Sequence, residues 1–155
     1  MNILFLDDEL WRHEAVSKWE EQQEDAITLS FESEDAINLL CEEYFDIVFL
    51  DHDLVGGRHL LEPIAQSGMD VVDFLVEESE RPESDVWMPG LVVVHSWNSH
   101  AAFVMVEKLK KAGIQAVRWF FDPTQNAVNL FREKANEARA KRVRLVGSHV
   151  DGQED

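Results

Sequence analysis

The stretch Asp46-Ile47-Val48-Phe49-Leu50-Asp51-His52-Asp53-Leu54 constrains this chain more than any other. Its apolar part, Ile47 to Leu50, is β-branched and aromatic and too short for a helix, so it reads as a strand buried on both faces. It runs directly into Asp51, His52 and Asp53. Open α/β sheets place their ligands where buried parallel strands release charged groups at their carboxyl ends, because the loops there line a crevice above the sheet. Asp51 therefore stands at the centre of the expected site.

Two other apolar runs end in the same way. Asn2-Ile3-Leu4-Phe5-Leu6 leads into Asp7, Asp8 and Glu9, and Leu91-Val92-Val93-Val94 delivers His95-Ser96-Trp97-Asn98. Ala26 to Phe31 and Ala116 to Phe121 read as two further strands. Helical spacing fills the intervals. Trp11, Ala15, Val16 and Trp19 mark the apolar face of a helix from Leu10 to Glu24. Ser33 is the expected N-cap of a second helix, with Ala36, Ile37, Leu40, Cys41 and Tyr44 on its apolar face. A third spans Met69 to Glu80, and a fourth spans His100 to Ala112, with Gly113 as its left-handed stop. Asp122 is the expected N-cap of the last, with Pro123 in its first turn. The connection from Leu54 to Gly68, containing Gly56-Gly57 and Pro63, is longer than most strand-to-helix loops and reads as a lid. Gly56-Gly57 suits either a simple turn or a phosphate loop.

Short alternating βα units with buried strands imply parallel pairing through right-handed crossovers. The expected fold is one α/β flavodoxin-like domain over residues 1–146, a three-layer sandwich with sheet order 2-1-3-4-5, followed by a disordered polar tail at 147–155. The 155 residues suffice for one core, and the net charge of -17 argues against nonspecific binding to nucleic acid or anionic membrane. One cysteine, Cys41, excludes a disulfide framework. No stretch resembles a signal peptide or reaches membrane-spanning length, so the expected location is the cytoplasm.

In that sheet order Asp7 and Asp8, Asp51 to Asp53, and His95 to Asn98 converge on one rim. Asp7-Asp8 after strand one, Asp51 closing strand three and Ser96 after strand four resemble the acidic pair, phosphoacceptor aspartate and hydroxyl residue of response-regulator receiver domains. The resemblance covers Met1 to Arg139. Receivers also carry a lysine-proline step closing strand five, whereas this chain has Phe121-Asp122-Pro123, with no lysine to clamp a phosphoryl oxygen. The chain is more closely similar to the cyclic-phosphate processing receiver domain, through Phe49-Leu50-Asp51-His52-Asp53-Leu54, Gly56-Gly57 and His95-Ser96-Trp97-Asn98 before a Met-bearing helix. That resemblance implies a receiver-like fold and action on a small cyclic phosphate, a nucleotide or an ADP-ribose derivative.

The residue types agree with such chemistry. Converging carboxylates repel one another, and a hard divalent ion such as Mg²⁺ or Mn²⁺ resolves the repulsion, with Asp7, Asp8 and Asp51 as ligands. His52 and His95 are the candidate acid and base for ring opening, since imidazole titrates near neutrality. Ser96, Asn98 and Asp53 complete the substrate-binding set, with the amides of the following helix N-terminus. Asp51 is nucleophile, phosphoacceptor or metal ligand only. Strict strand alternation turns His52 away from Asp51 and Asp53, so that only an early end of the strand frees it, and His95 also reads as a core histidine. His13, His59, His100 and His149 are expected at the surface or in loops. The five tryptophans read as core or crevice walls, with Trp97 able to stack on a base. The basic end of the last helix suits its dipole or a partner. Two rival readings stand: a binding module that holds a metal and a protein partner without turnover, and a phosphoaccepting signalling domain.

Overall fold

The computed structural model describes residues 1–20, 24–54 and 67–150, with no side chain described at 20 or beyond 142. Strands β1 (Asn2–Leu6), β2 (Ala26–Ser30), β3 (Ile47–Leu50), β4 (Leu91–Val94) and β5 (Ala116–Arg118) alternate with helices α1 (Leu10–Glu20), α2 (Ser33–Glu42), α3 (Gly68–Glu80), α4 (Ser99–Lys111) and α5 (Ala127–Val150). The strands form one parallel sheet in the order β2-β1-β3-β4-β5, as the alternating pattern predicts. β1, β3 and β4 are the middle strands, with Leu6 beside Leu50 and Leu50 beside Val94.

Side-chain alternation divides the core into two layers. Leu4, Leu6, Val48, Leu50, Val92 and Val94 pack with Ala36 and Leu40 of α2, Val72 and Leu75 of α3, and Met105 and Leu109 of α4. Ile3, Phe5, Ile47, Phe49, Leu91 and Val93 take the opposite face, against Val16 and Trp19 of α1 and Val128 and Phe131 of α5. Burial on both faces explains the unbroken apolar runs in these strands. Gly113, at φ 80, ends α4 as expected, with its N–H on the Lys110 carbonyl and that of Ile114 on Leu109.

Several boundaries differ from the sequence expectation. β5 stops at Arg118, although Trp119 still donates to the Val94 carbonyl and Trp119 and Phe121 keep to the α1/α5 layer. Ser33 is the first residue of α2, with Glu32 at the cap position; its hydroxyl donates across to Asp70 Oδ2 at 3.3 Å. Cys41 is exposed, since α2 buries Ser33, Ala36 and Leu40. Asp122 closes its own turn, accepting from the Thr124 N–H, and the side chain that caps the start of α5 is Asn126, which accepts from the Asn129 N–H. α1 is described over Leu10–Glu20, and Glu24, expected within it, lies in a bend. Its buried stripe is Arg12, His13, Val16 and Trp19, while Trp11 is exposed. α5 carries the chain to Val150, into the stretch expected as a tail. Of the expected lid from Leu54 to Gly68, residues 55–66 with Gly56-Gly57 lie outside the described residues, while Leu54 is buried and Gly68 begins α3. Among the described residues no helix is long and apolar enough to cross a membrane.

The chain re-enters the fold against the end of β3. Ser67 pairs with Asp53 in an isolated bridge, and the Gly68 N–H donates to the His52 carbonyl at 3.0 Å. Ser67 then caps α3 in a reciprocal capping box with Asp70. Gly68 is in direct contact with the site's backbone: a Cβ there would lie 1.9 Å from the Asp51 carbonyl oxygen. Gly68→Ala should therefore destabilise the protein by about 1–3 kcal/mol, the usual range for overpacking. Denaturant unfolding measures it, and an unchanged midpoint would refute the close packing.

Candidate active site

The alternation that sorts the core also assembles the site. Ile3 and Phe5, Ile47 and Phe49, and Leu91 and Val93 face α1 and α5, and the next residues of that parity are Asp7, Asp51 and His95. The ladder extends one residue past the strands to hold them, with Asp51 N–H on the Leu6 carbonyl and His95 N–H on Leu50, at 3.1 and 3.0 Å. All three are buried, so charged groups begin where the apolar runs stop.

Asp7 is fully buried and bonded at every polar atom. Oδ1 accepts the Glu9 N–H at 2.8 Å. Oδ2 accepts Arg12 Nη1 at 2.9 Å and His95 Nε2–H at 2.8 Å. Its carbonyl accepts His13 Nε2–H at 2.6 Å. Burial alone would raise the Asp7 pKa, but the hydrogen bond and electrostatic pull of His95, together with Arg12 and the Glu9 N–H, hold it below the usual value. His13, expected at the surface, is buried against Phe31 with ring centroids 4.0 Å apart, and burial lowers its pKa.

Asp51 and Asp8 lie on the other side of the balance. Burial and the Asp7 charge raise the Asp51 pKa, against the opposing pull of His95, Arg12 and the Ser96 hydroxyl. Asp8 is half-buried, and burial with the charges of Asp7 and Asp51 pushes its pKa up to about 6. Asp7, Asp8 and Asp51 each offer an oxygen, all within 4.8 Å of one another. Oxygens opposite each other around Ca²⁺ stand roughly 5 Å apart and around Mg²⁺ about 4.2 Å, twice the usual ligand distances. The spread admits the first as it stands and the second after a small side-chain closure. The donor set thus fits a hard divalent cation, and the raised pKa values of Asp8 and Asp51 are the repulsion such an ion would relieve.

The other expected site residues separate into groups. His95 has no exposed surface; its ring stacks on Phe5 at 4.8 Å and its Nε2 is committed to Asp7. His52, past the end of β3, lies outside that hydrogen-bonded core: it is half-buried, and its Nδ1–H donates to Asp53 Oδ1 at 2.6 Å. Ser96 is buried, accepts the Asn98 N–H at 3.1 Å and acts on Asp51. Asn98 caps α4, its Oδ1 accepting from Ala101 at 3.1 Å. Asp122 bonds Thr124, whose amide and hydroxyl both donate to its Oδ1. His100 is exposed, as expected, and so are Trp11, Trp87 and Trp97, whereas Trp19 and Trp119 are core.

Two cations were not singled out by sequence reasoning. Arg12 is 6% exposed and bridges Asp7 to Asp51 Oδ2, the latter at 3.5 Å, with its guanidinium over the rings of Trp11, Trp97 and Phe121. Its signal was present: Arg12, Val16 and Trp19 stand at i, i+4 and i+7, on one helix face. Arg118, ending β5, reaches the Ser96 carbonyl and Ser99 Oγ at 3.4 and 3.2 Å.

The profile of the cyclic-phosphate processing receiver domain matches residues 2–111. The chain belongs to this family. Solved receiver structures share its fold. NtrX from Brucella abortus is 21% identical with a TM-score of 0.61 over 91% of this chain, which spans only 28% of the NtrX chain. A CheY-like receiver domain protein from Methanospirillum hungatei JF-1 is 16% identical, with a TM-score of 0.57, over 90% of this chain and 97% of its own. A response regulator from Burkholderia pseudomallei, solved with a phosphorylated aspartic acid and a calcium ion, is 16% identical with a TM-score of 0.53 over 91% of this chain and 72% of its own. No curated protein sequence matches the chain.

For this receiver domain, the raised Asp8 pKa sets the sign of a pH effect. A carboxyl group whose folded pKa is raised from 3.8 to about 6 stabilises the fold at low pH, and that contribution is lost as pH rises through the interval. Asp51 acts in the same direction, and Asp7, held low, acts only in more acidic solution. His13, whose pKa burial lowers, acts in the opposite direction over the same interval. With EDTA present, Asp8→Asn should therefore raise the melting temperature at about pH 7, and that gain over wild type should fade as pH falls to about 5. Mg²⁺ or Mn²⁺ should raise the wild-type melting temperature by mass action, with the response abolished in Asp8→Asn and Asp51→Asn. An undiminished metal response in both variants would remove the site.

Proposed function

We propose that this domain hydrolyses a small cyclic phosphate, a nucleotide or an ADP-ribose derivative, with Mg²⁺ or Mn²⁺ held by Asp7, Asp8 and Asp51. The observation that carries the reading is the three-carboxylate cluster at the sheet rim, backed by Arg12, in a member of the cyclic-phosphate processing family. The bound ion would neutralise phosphate charge and orient the attacking water. In ring opening, the water oxygen bonds to phosphorus and gives its proton to a base, the ring P–O bond breaks, and the departing alkoxide takes up a proton from solvent. With His52 Nδ1–H on Asp53, Nε2 carries the lone pair that can accept the water's proton, which makes Asp53 the group that sets the tautomer. His95, buried and bonded to Asp7, supports that carboxylate and does not meet substrate. The first amides of α4, which Asn98 caps, suit a phosphoryl oxygen, while the buried Ser96 supports Asp51.

A panel of cyclic phosphates assayed by chromatography with and without Mn²⁺ tests the proposal. His52→Gln should lower kcat about 10²–10⁴-fold with the melting temperature unchanged, the range for a lost proton-transfer group. His95→Gln should instead destabilise the fold. No turnover of any member, with metal binding retained, would leave a binding module that holds a metal and a protein partner.

A phosphoaccepting role has one observation in its favour, the buried Asp51 beside Arg12 at the carboxyl end of β3. The Burkholderia neighbour carries a phosphorylated aspartic acid and a calcium ion. This chain has no lysine closing strand five. Incubation with acetyl phosphate and Mg²⁺ should therefore leave the intact mass unchanged. Near-complete gain of one phosphoryl group at Asp51 would establish the signalling role instead.

A further inference from the structure

The buried guanidinium of Arg12 has unused hydrogen-bonding capacity at the acidic rim. Both of its hydrogen bonds run through Nη1, to Asp7 Oδ2 at 2.9 Å and Asp51 Oδ2 at 3.5 Å. Nε is buried with no partner among the described residues. An arginine satisfied by carboxylates alone makes a bidentate fork, because its donors match the two oxygens of one acid. Arg12 touches two different acids with a single nitrogen and leaves Nε unspent. An unsatisfied buried N–H carries a desolvation cost, and among the side-chain atoms left so in the described residues Arg12 Nε is the one on a guanidinium already bound to Asp7 and Asp51.

Three rings fix the guanidinium in this attitude. Trp11, Trp97 and Phe121 have centroids 5.2, 4.8 and 5.5 Å from Cζ. Trp97 follows Ser96 at the end of β4 and is 62% exposed, so one wall of the buried guanidinium is itself at the surface of the rim. Arg12 reaches the rim from α1, on the opposite end of the chain from Phe121-Asp122-Pro123, where the lysine is absent.

We propose that Arg12 is the oxyanion-recognition residue of this site, gripping a non-bridging phosphoryl oxygen through Nε–H while Nη1 stays on the carboxylates. The ligand class is a phosphate monoester or diester anion, bound together with the divalent cation. The inference rests on the phosphate-processing reading, but its test requires binding and no turnover. Arginine suits the place because its charge is permanent and its fork is planar, and the aromatic walls hold that plane.

Inorganic phosphate is the probe, titrated calorimetrically into the full chain with saturating Mg²⁺. Wild type should bind it. Arg12→Gln should weaken phosphate at least tenfold while Mg²⁺ binds as tightly or more tightly, because a competing cation has left Asp7 and Asp51. Arg12→Lys keeps the charge without the fork and should weaken phosphate about tenfold, a loss of one directed charge-assisted hydrogen bond. The lysine variant decides the matter if the glutamine variant does not fold. Wild-type affinity in Arg12→Lys, unchanged affinity in a folded Arg12→Gln, or no phosphate binding by the wild type would overturn the assignment. Phosphate binding lost in Arg12→Lys without turnover of any cyclic phosphate would sustain this inference and sink the hydrolase reading.

Discussion

Everything at the rim depends on keeping the Asp7 carboxylate ionised where no water reaches it. Removing one partner of a buried ion pair typically costs about 3–5 kcal/mol, because the other charge is left stranded. Asp7 meets this demand through partners from three directions: Arg12 from α1, His95 from the end of β4, and the Glu9 amide from its own turn. The fit of α1 on the sheet is tied to this charge as much as to Val16 and Trp19. His13 adds a bond to the Asp7 carbonyl from the same helix. The first turn of α1 is therefore anchored through polar contacts at the point where the apolar layer ends.

The sheet and its functional rim were legible because one physical rule produced both. A parallel strand buried on two faces needs a continuous apolar run, and that run must stop where charge begins. In β1, β3 and β4 it stops at the same height, at Asp7, Asp51 and His95. Sheet order then needed only the alternation of strands and helices. Parity failed at His52, which strict alternation turns away from Asp53 as well as Asp51: β3 ends at Leu50, and past that end His52 bonds Asp53.

What the chain concealed are residues whose burial is decided by tertiary partners. Arg12 and His13 are polar residues in a helix, and polarity reads as solvent exposure until a buried carboxylate is known to sit opposite. The expected stripe through Trp11 and Ala15 was rotated by about one residue for that reason. Trp11 is pushed to the rim, where it covers the guanidinium, and Arg12 takes the inward place. Helix ends failed similarly. Ser33 has a capping side chain, yet a longer-range acceptor, Asp70, claims it. Asp122 has the right type and a following proline, yet the hydroxyl of Thr124 closes a tighter local turn.

The three carboxylates differ in how far their charge is answered, and the difference orders their roles. Asp7 is held below its usual pKa by hydrogen-bonding partners already in the fold. Asp51 has a share in Arg12 at the longer distance of 3.5 Å and is raised. Asp8, facing both neighbours without that compensation, is raised to about 6. A fold optimised for stability alone would neutralise Asp8 and Asp51 as completely as Asp7, since an uncompensated acid at a rim brings only repulsion. Leaving two of three acids short of positive charge, around a shared space under 5 Å across, keeps a permanent demand for a cation from outside. Arg12 then marks the boundary between the charge the protein supplies for itself and the charge it leaves to be brought in.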